Sequence, residues 1–259
     1  MNPGSCAFEV FFVRIPVGDP LGNDQIWSQV DETRIDLATR EELAANGFRV
    51  GVVGAQLPEG LAQLLQIKHE ACTADSGTEE EDVGFSVAAL GEEPQVVRRH
   101  LQVPPGQRRE IYLTPPRDQF TVLTASSKGC RGRSYELGQP ALALRWFCDT
   151  QRKCMVELTP EIHFGQSRTR FAAEEGNFRI EVTRSKESFD QLRLRVGISP
   201  GEILILGCYP ERPGSLGHGA FVLHDEDRQE QRLLLIRLVQ IQHDELFSPD
   251  QVRKWTESS

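Results

Sequence analysis

Residues 154–241 decide the fold, and two segments show their pattern most directly: MVELTPEI at 155–162 and FRIEVT at 178–183. Apolar and polar side chains alternate in both, which is typical of a strand with one buried face. Turn-forming residues separate these segments from their neighbours, at Glu175-Gly176-Asn177, Ser199-Pro200-Gly201, Pro213-Gly214-Ser215 and Asp225-Glu226-Asp227. The stretch therefore predicts an antiparallel β region of about five or six strands.

The N-terminal part of the chain predicts a mixed arrangement. A strand at 8–15 precedes a short helix at 24–30 and a second helix, for which Thr39-Arg40-Glu41-Glu42 has the spacing of a capping box and Asn46-Gly47 is an end signal. A strand at 48–54 and a helix from about 58 to 69 follow. We predict an α+β protein made of a small N-terminal α/β module (7–70), an acidic linker (71–93), a mostly antiparallel β C-terminal region (94–241) and a polar tail (242–259).

Composition excludes several classes of protein. The chain has 259 residues, of which 39% are hydrophobic, and this suits a soluble globular protein with a sizeable core. No segment approaches the ~20 continuous apolar residues that a transmembrane helix requires. The net charge of −9 argues against a nucleic-acid partner bound by phosphate neutralisation, and it disfavours docking on anionic lipid.

The six cysteines include no C-x-x-C pair, so their spacing does not favour a zinc site. Cys148 and Cys154 flank a predicted turn, where they could form a disulfide in an oxidising compartment or remain two buried thiols.

The N-terminus leaves the localisation open. Residues 1–6 lack the apolar region of a signal peptide, so the chain as written is expected to be cytoplasmic. Gly4-Ser5-Cys6 directly before a strand also resembles the start of a mature lipoprotein. Lipidation of Cys6 would then favour the cell envelope and allow membrane association.

No catalytic signature assembles from the sequence. Gly47, Gly51 and Gly54 do not match a dinucleotide or phosphate loop, and we expect them to serve as a helix cap and as close-packing positions in a strand. Cys208 with His218 or His224 could form a nucleophile–base pair, and Glu157 and Glu161 share a strand face, but no family motif accompanies either set. We therefore predict that the protein is not an enzyme and has no cofactor, no metal and no catalytic residue.

Five segments in order carry a family resemblance: MVELTPEI, FRIEVT, ISPGEILILG at 198–207, PGSLG at 213–217 with Phe221 after it, and LLLIRLVQI at 233–241. Together they resemble the C-terminal core of bacterial secretins, the ring-forming outer-membrane channels of secretion and pilus systems. Cys208 departs from the pattern, since secretins have a second glycine there. The resemblance implies that residues 7–70 are comparable to the small periplasmic ring-building domains that precede a secretin core.

Three functions follow as hypotheses. The first is a non-enzymatic, secretin-like component of the cell envelope, which acts in assembly or scaffolding through self-association or docking of protein partners at sheet edges. The alternative is a soluble cytoplasmic β module that binds a protein or a ligand. The third is a hydrolase built on Cys208 or on the pair of His218 and His224.

Overall fold

The fold was analysed in a computed structural model, which describes residues 5–20, 25–54, 61–62, 65, 96–127, 129–148, 153–174, 177–225 and 228–242. Its strands are β1 (Ser5–Pro16), β2 (Phe48–Val53), β3 (Val96–Val103), β4 (Arg109–Tyr112), β5 (Arg117–Ser126), β6 (Gly129–Cys148), β7 (Cys154–Glu174), β8 (Asn177–Ser188), β9 (Leu194–Ile198), β10 (Ile203–Cys208), β11 (Val222–Asp225) and β12 (Arg228–Gln242). The helices are α1 (Leu37–Ala45) and α2 (Leu216–Phe221), with short 3-10 turns at Trp27–Gln29, Glu32–Arg34 and Asp190–Leu192.

The first sheet joins the two ends of the described chain. Its strand order is β2-β10-β12-β1-β3, and β11 pairs with the beginning of β12. Strand β1 is antiparallel to β12 along its whole length, from Ser5 opposite Gln242 to Pro16 opposite Glu230. The first and last described strands are therefore neighbours in the middle of this sheet.

The second sheet is built on two long strands, β6 and β7. Its order is β4-β6-β7-β8, with β5 paired to the first half of β6 and β9 paired to the beginning of β7. Where β6 (139–148) pairs with β7 (154–163), even-numbered residues such as Leu144 and its register partner Leu158 point into the core. Odd-numbered residues of this paired stretch occupy the opposite, outer face, because side chains alternate along a strand.

The main hydrophobic core lies between the two sheets. Phe8 and Phe12 contribute from the first sheet, and Trp146, Leu158 and Ile162 contribute from the second. A smaller cluster covers the other face of the first sheet, where Phe11, Ile15, Trp27 and Leu235 are buried. The first sheet thus has apolar packing on both faces, which explains why β10 and β12 carry near-continuous runs of Leu and Ile.

Gly47 and Gly51 behave as the sequence predicts. Gly47 ends α1 with a φ of +81°, and its N–H bonds to the carbonyl of Ala44, so it is a helix cap. A Cβ on Gly51 would lie 2.4 Å from Cγ1 of Val30, so Gly51 permits close packing in β2. The predicted start of α1 is wrong. The helix begins at Leu37, because the Asp36 side chain accepts the N–H of Thr39 and acts as the N-cap.

The described residues are mostly antiparallel β with few helices, so the predicted α+β class fits in broad terms. A separate N-terminal α/β module is not evident, because β1 pairs with β3 and β12, and β2 pairs with β10. The predicted linker, 71–93, and nearly all of the predicted tail, 242–259, lie outside the described residues. Within the described part of the chain, no helix has the length and apolar character needed to cross a membrane.

Candidate functional site

Cys208 occupies the last position of β10, opposite Phe48, and its side chain is buried. Burial, together with the charge of nearby Glu211, raises the pKa of the thiol to about 12. A cysteine nucleophile reacts as the thiolate, so Cys208 in this environment is unsuited to catalysis at neutral pH. His218 lies half-buried in the first turn of α2, and the side chain of His224 lies outside the described residues.

Cys6 and Cys154 meet across the two sheets. Both side chains are fully buried, both carry thiols, and their Sγ atoms are 3.8 Å apart. Cys148 is the register partner of Cys154, as the predicted hairpin requires, but its side chain lies outside the described residues. The Cys148–Cys154 disulfide and the lipidation of Cys6 therefore stay predictions. A lipid-modified Cys6 would have to leave its buried position in β1.

Among the residues that the structure describes, the densest group of interacting charged side chains lies on the outer face of the second sheet. We call it the outer polar cluster, and it consists of Arg108, Glu110, Tyr112, Glu161, His163, Lys186 and Ser188. Glu161 and His163 are each only 4% exposed, although they lie on the face that points away from the core. Burial of this degree makes the cluster the leading candidate for a functional site.

Four adjacent strands bring these side chains together. Glu110 on β4 lies opposite Ala143 of β6, and Glu161 on β7 lies opposite Ala141 of β6. The small alanine side chains between the two acidic residues leave room for both carboxylates over β6. Ser188 of β8 lies opposite Glu161 on the other side.

Arg108 connects the two carboxylates. One terminal nitrogen of its guanidinium group donates to Glu110, and the other donates to Glu161. Nε2 of His163 lies 3.2 Å from Oε2 of Glu161 and 3.8 Å from Oε2 of Glu110. The hydroxyl of Ser188 donates to Oε1 of Glu161 at 2.7 Å. Each carboxylate is therefore bound by more than one donor.

These contacts determine the protonation of the cluster. Burial by itself would raise the pKa of Glu161, but hydrogen bonds from His163 and Ser188 and the charge of Arg108 hold it below its ordinary value. The pKa of Glu110 is also lowered, because the Tyr112 hydroxyl, His163 and Arg108 outweigh burial. Burial and the hydrogen bond to Glu110 raise the pKa of Tyr112, which keeps its hydroxyl as a donor. Both carboxylates are ionised at neutral pH.

The cluster also contains a possible set of metal ligands. One ligand atom each from Glu110, Glu161 and His163 lies within 4.8 Å of the others, and these are donors that divalent cations accept. Arg108 already forms ion pairs with both carboxylates, and Nζ of Lys186 lies 3.8 Å from Glu110. Two positive side chains therefore balance the two carboxylates, and a metal ion would have to displace Arg108. The arrangement is best suited to holding four strands together.

Sequence reasoning found only one member of the cluster, Glu161, as part of a pair with Glu157. The structure does not unite that pair, since Glu157 is bound by Arg195 at 2.7 Å, away from the Arg108 network. The sequence does contain a trace of the cluster, the series of polar residues at 157, 159, 161 and 163. A strand face exposed to solvent shows the same pattern, so the series did not distinguish the cluster from an ordinary surface.

Acidic pH is expected to weaken the cluster. The folded-state pKa values of Glu110 and Glu161 lie below the ordinary 4.5, so their ionised forms stabilise the fold above that pH. This contribution is lost as the pH falls through the lowered pKa values.

We expect the free energy of unfolding, measured by urea titration between pH 7 and pH 3, to fall less steeply below about pH 4.5 in Glu161→Gln than in the wild type. Glu136→Gln changes an exposed carboxylate of β6 and is the control. Parallel curves for Glu161→Gln and the wild type would contradict the assignment.

The gap between the sheets does not offer a substrate site. It is lined by apolar side chains such as Phe48, Leu142 and Leu206, and its free space of about 10 Å³ has room for about one water molecule.

No protein-family model matches this chain, and no curated protein is significantly similar to it.

Proposed function

We propose that the protein is a non-enzymatic, secretin-like component of the cell envelope, which acts in assembly or scaffolding through self-association or docking of protein partners. The observation that carries the proposal is the position of the segments that resemble secretins. ISPGEILILG at 198–207 contains β10, LLLIRLVQI at 233–241 lies in β12, and these strands are antiparallel neighbours with Ile203 opposite Arg237. The two most apolar matched segments therefore lie side by side at the centre of one sheet.

The chemistry of the described residues also favours a non-enzymatic role. The candidate nucleophile Cys208 is a buried thiol with a pKa of about 12. The outer polar cluster is neutralised by its own Arg108 and Lys186. The gap between the sheets accommodates about one water.

A sheet edge supplies the surface that this proposal requires. Among the described residues, β3 pairs with β1 on one side and with no strand on the other. The outer backbone groups of an edge strand can pair with a strand from another chain, which is how β-augmentation works. Arg98, Arg99 and His100 are exposed on β3, and such charges at an edge limit unselective pairing. The comparison of residues 7–70 with the ring-building domains of secretins is a further part of the proposal.

Size-exclusion chromatography with light scattering tests the assembly. We expect the full-length protein to form a discrete multimer whose mass is well above the 29.1 kDa of the chain. A monomer at every concentration, without a partner in the envelope fraction, would overturn the proposal.

Proline substitution at neighbouring positions tests the edge. In an antiparallel edge strand, alternate N–H groups point to the neighbour and to the open side. One of Arg99→Pro and His100→Pro therefore removes an N–H from the open side, and the other disrupts pairing with β1. We expect the variant that retains wild-type circular dichroism and thermal stability to associate at least about tenfold more weakly, whereas unchanged association would exclude this edge.

Fractionation of the native cells, with mass spectrometry of the N-terminal peptide, tests the location. A lipid-modified Cys6 in the envelope fraction supports the proposal. The buried position of Cys6 favours a second candidate, a soluble cytoplasmic β module that binds a protein or a ligand, and an unmodified chain in the soluble fraction would select it.

A further inference from the structure

The two buried thiols of Cys6 and Cys154 come from different sheets. Cys6 lies at the beginning of β1, and Cys154 is the first residue of β7, which is 148 positions further along the chain. Each side chain has an exposed fraction of 0%. Their Sγ atoms are separated by 3.8 Å, which is van der Waals contact.

The surrounding residues hold the two sheets together at this point. Val103 of β3 is the register partner of Cys6, and its carbonyl accepts the indole N–H of Trp146 at 2.7 Å. Trp146 belongs to β6 and lies opposite Val156, two residues from Cys154. Trp146 and Val103 are themselves fully buried. The hydrogen bond from Trp146 to Val103 therefore joins the two sheets close to the point where the two thiols meet.

We propose that Cys6 and Cys154 form a disulfide that joins the two sheets when the protein folds in an oxidising environment. The bond requires the sulfur atoms to approach from 3.8 Å to about 2.05 Å, a movement of less than about 2 Å in two side chains. The oxidant is a low-molecular-weight disulfide such as oxidised glutathione. One cysteine attacks it and releases one glutathione thiol, and the second cysteine attacks the mixed disulfide and releases the other. The protons of both cysteines end on the released thiols, and the two cysteines are oxidised as the glutathione disulfide is reduced.

Cys148 is the competing partner for Cys154, because it lies opposite Cys154 across the predicted hairpin. The two bonds differ in their consequences. A bond to Cys148 closes a short hairpin, whereas a bond to Cys6 closes a loop of nearly 150 residues and attaches the first strand to the opposite sheet. Cross-linking a longer loop restricts the unfolded chain more strongly, so the Cys6 bond gives the larger thermal stabilisation.

Peptide mapping of the full-length chain separates these outcomes. The protein, carrying Cys130→Ser to remove an exposed thiol, is refolded from guanidinium in a buffer of reduced and oxidised glutathione, so that both thiols are accessible before they are buried. Remaining thiols are then blocked with iodoacetamide. Trypsin places the three cysteines in separate peptides, at 1–14, 146–152 and 154–168.

The proposal predicts that peptide 1–14 is recovered linked to peptide 154–168, and that a reducing agent separates them. Peptide 146–152 linked to 154–168 would overturn it, and so would recovery of both Cys6 and Cys154 in the alkylated form.

Thermal unfolding supplies a second measurement. We expect the oxidised protein to melt about 5–10 °C higher than the reduced protein. Cys148→Ser should keep this difference and Cys6→Ala should lose it, with Cys6→Val as the replacement if the alanine variant does not fold. An oxidation-dependent increase that persists without Cys6 would also overturn the proposal.

Discussion

Replacing Trp146 with alanine is expected to lower the free energy of unfolding by about 3–5 kcal/mol. The indole is fully buried in the main core, and its N–H bonds to the carbonyl of Val103 in the other sheet. The substitution would therefore leave a large cavity between the sheets and remove a buried hydrogen bond that joins them. Equilibrium unfolding in urea, followed by circular dichroism, measures the effect.

The neighbouring residue is a matched control for this prediction. Phe147 is also aromatic and also on β6, but it points to the outer face and is 43% exposed. Phe147→Ala should cost less than about 1 kcal/mol. Trp146→Phe keeps most of the ring and removes the hydrogen bond, so it should fall between the two alanine variants. Equal losses for Trp146→Ala and Phe147→Ala would show that the contact between the sheets is unimportant.

Removing the carboxylate of Glu161 is the second large expected effect. Glu161→Ala leaves the guanidinium of Arg108 with Glu110 alone, and it removes the acceptor of Ser188. Breaking a buried ion pair is costly because the remaining charge stays desolvated, but Glu110 compensates in part. We therefore expect a loss of about 2–4 kcal/mol in the free energy of unfolding.

Two further variants show whether the cost comes from charge or from packing. Glu136→Ala removes an exposed carboxylate of the same sheet and should change stability by less than about 0.5 kcal/mol. Glu161→Met fills the space without a charge. If it were as stable as the wild type, desolvation of the carboxylate would cancel its pairing energy, and the cluster would contribute little net stability.

The sequence allowed the strands to be located because alternation is a local property. MVELTPEI falls within β7 and FRIEVT within β8, and the apolar positions 156, 158 and 162 point to the core. The end of α1 could be predicted for the same reason, because Gly47 is favoured at the position after the helix where φ is positive. Each of these features is decided by residues a few positions apart.

Pairing between distant strands could not be predicted in this way. Nothing in residues 8–15 indicates that their partner lies more than 200 positions away in β12. Local pattern specifies which face of a strand is buried, but not the identity of its neighbour. The outer polar cluster was missed for the same reason, because Glu110 and Glu161 become neighbours only when β4 and β7 flank β6. The contact of Cys6 with Cys154 depends on the stacking of two whole sheets.

The pairing of β1 with β12 has a consequence for how the chain is made. On the ribosome, β1 emerges before the two strands that flank it, and β12 emerges more than 200 residues after β1. Until then β1 can pair only with β3, and its other edge, along Phe8, Phe11 and Phe12, has no partner strand. Domains with such long-range contacts fold slowly, and unpaired apolar strands aggregate readily. A nascent chain stalled before residue 228 would therefore lack the central strand of its first sheet and be a substrate for chaperones and proteases.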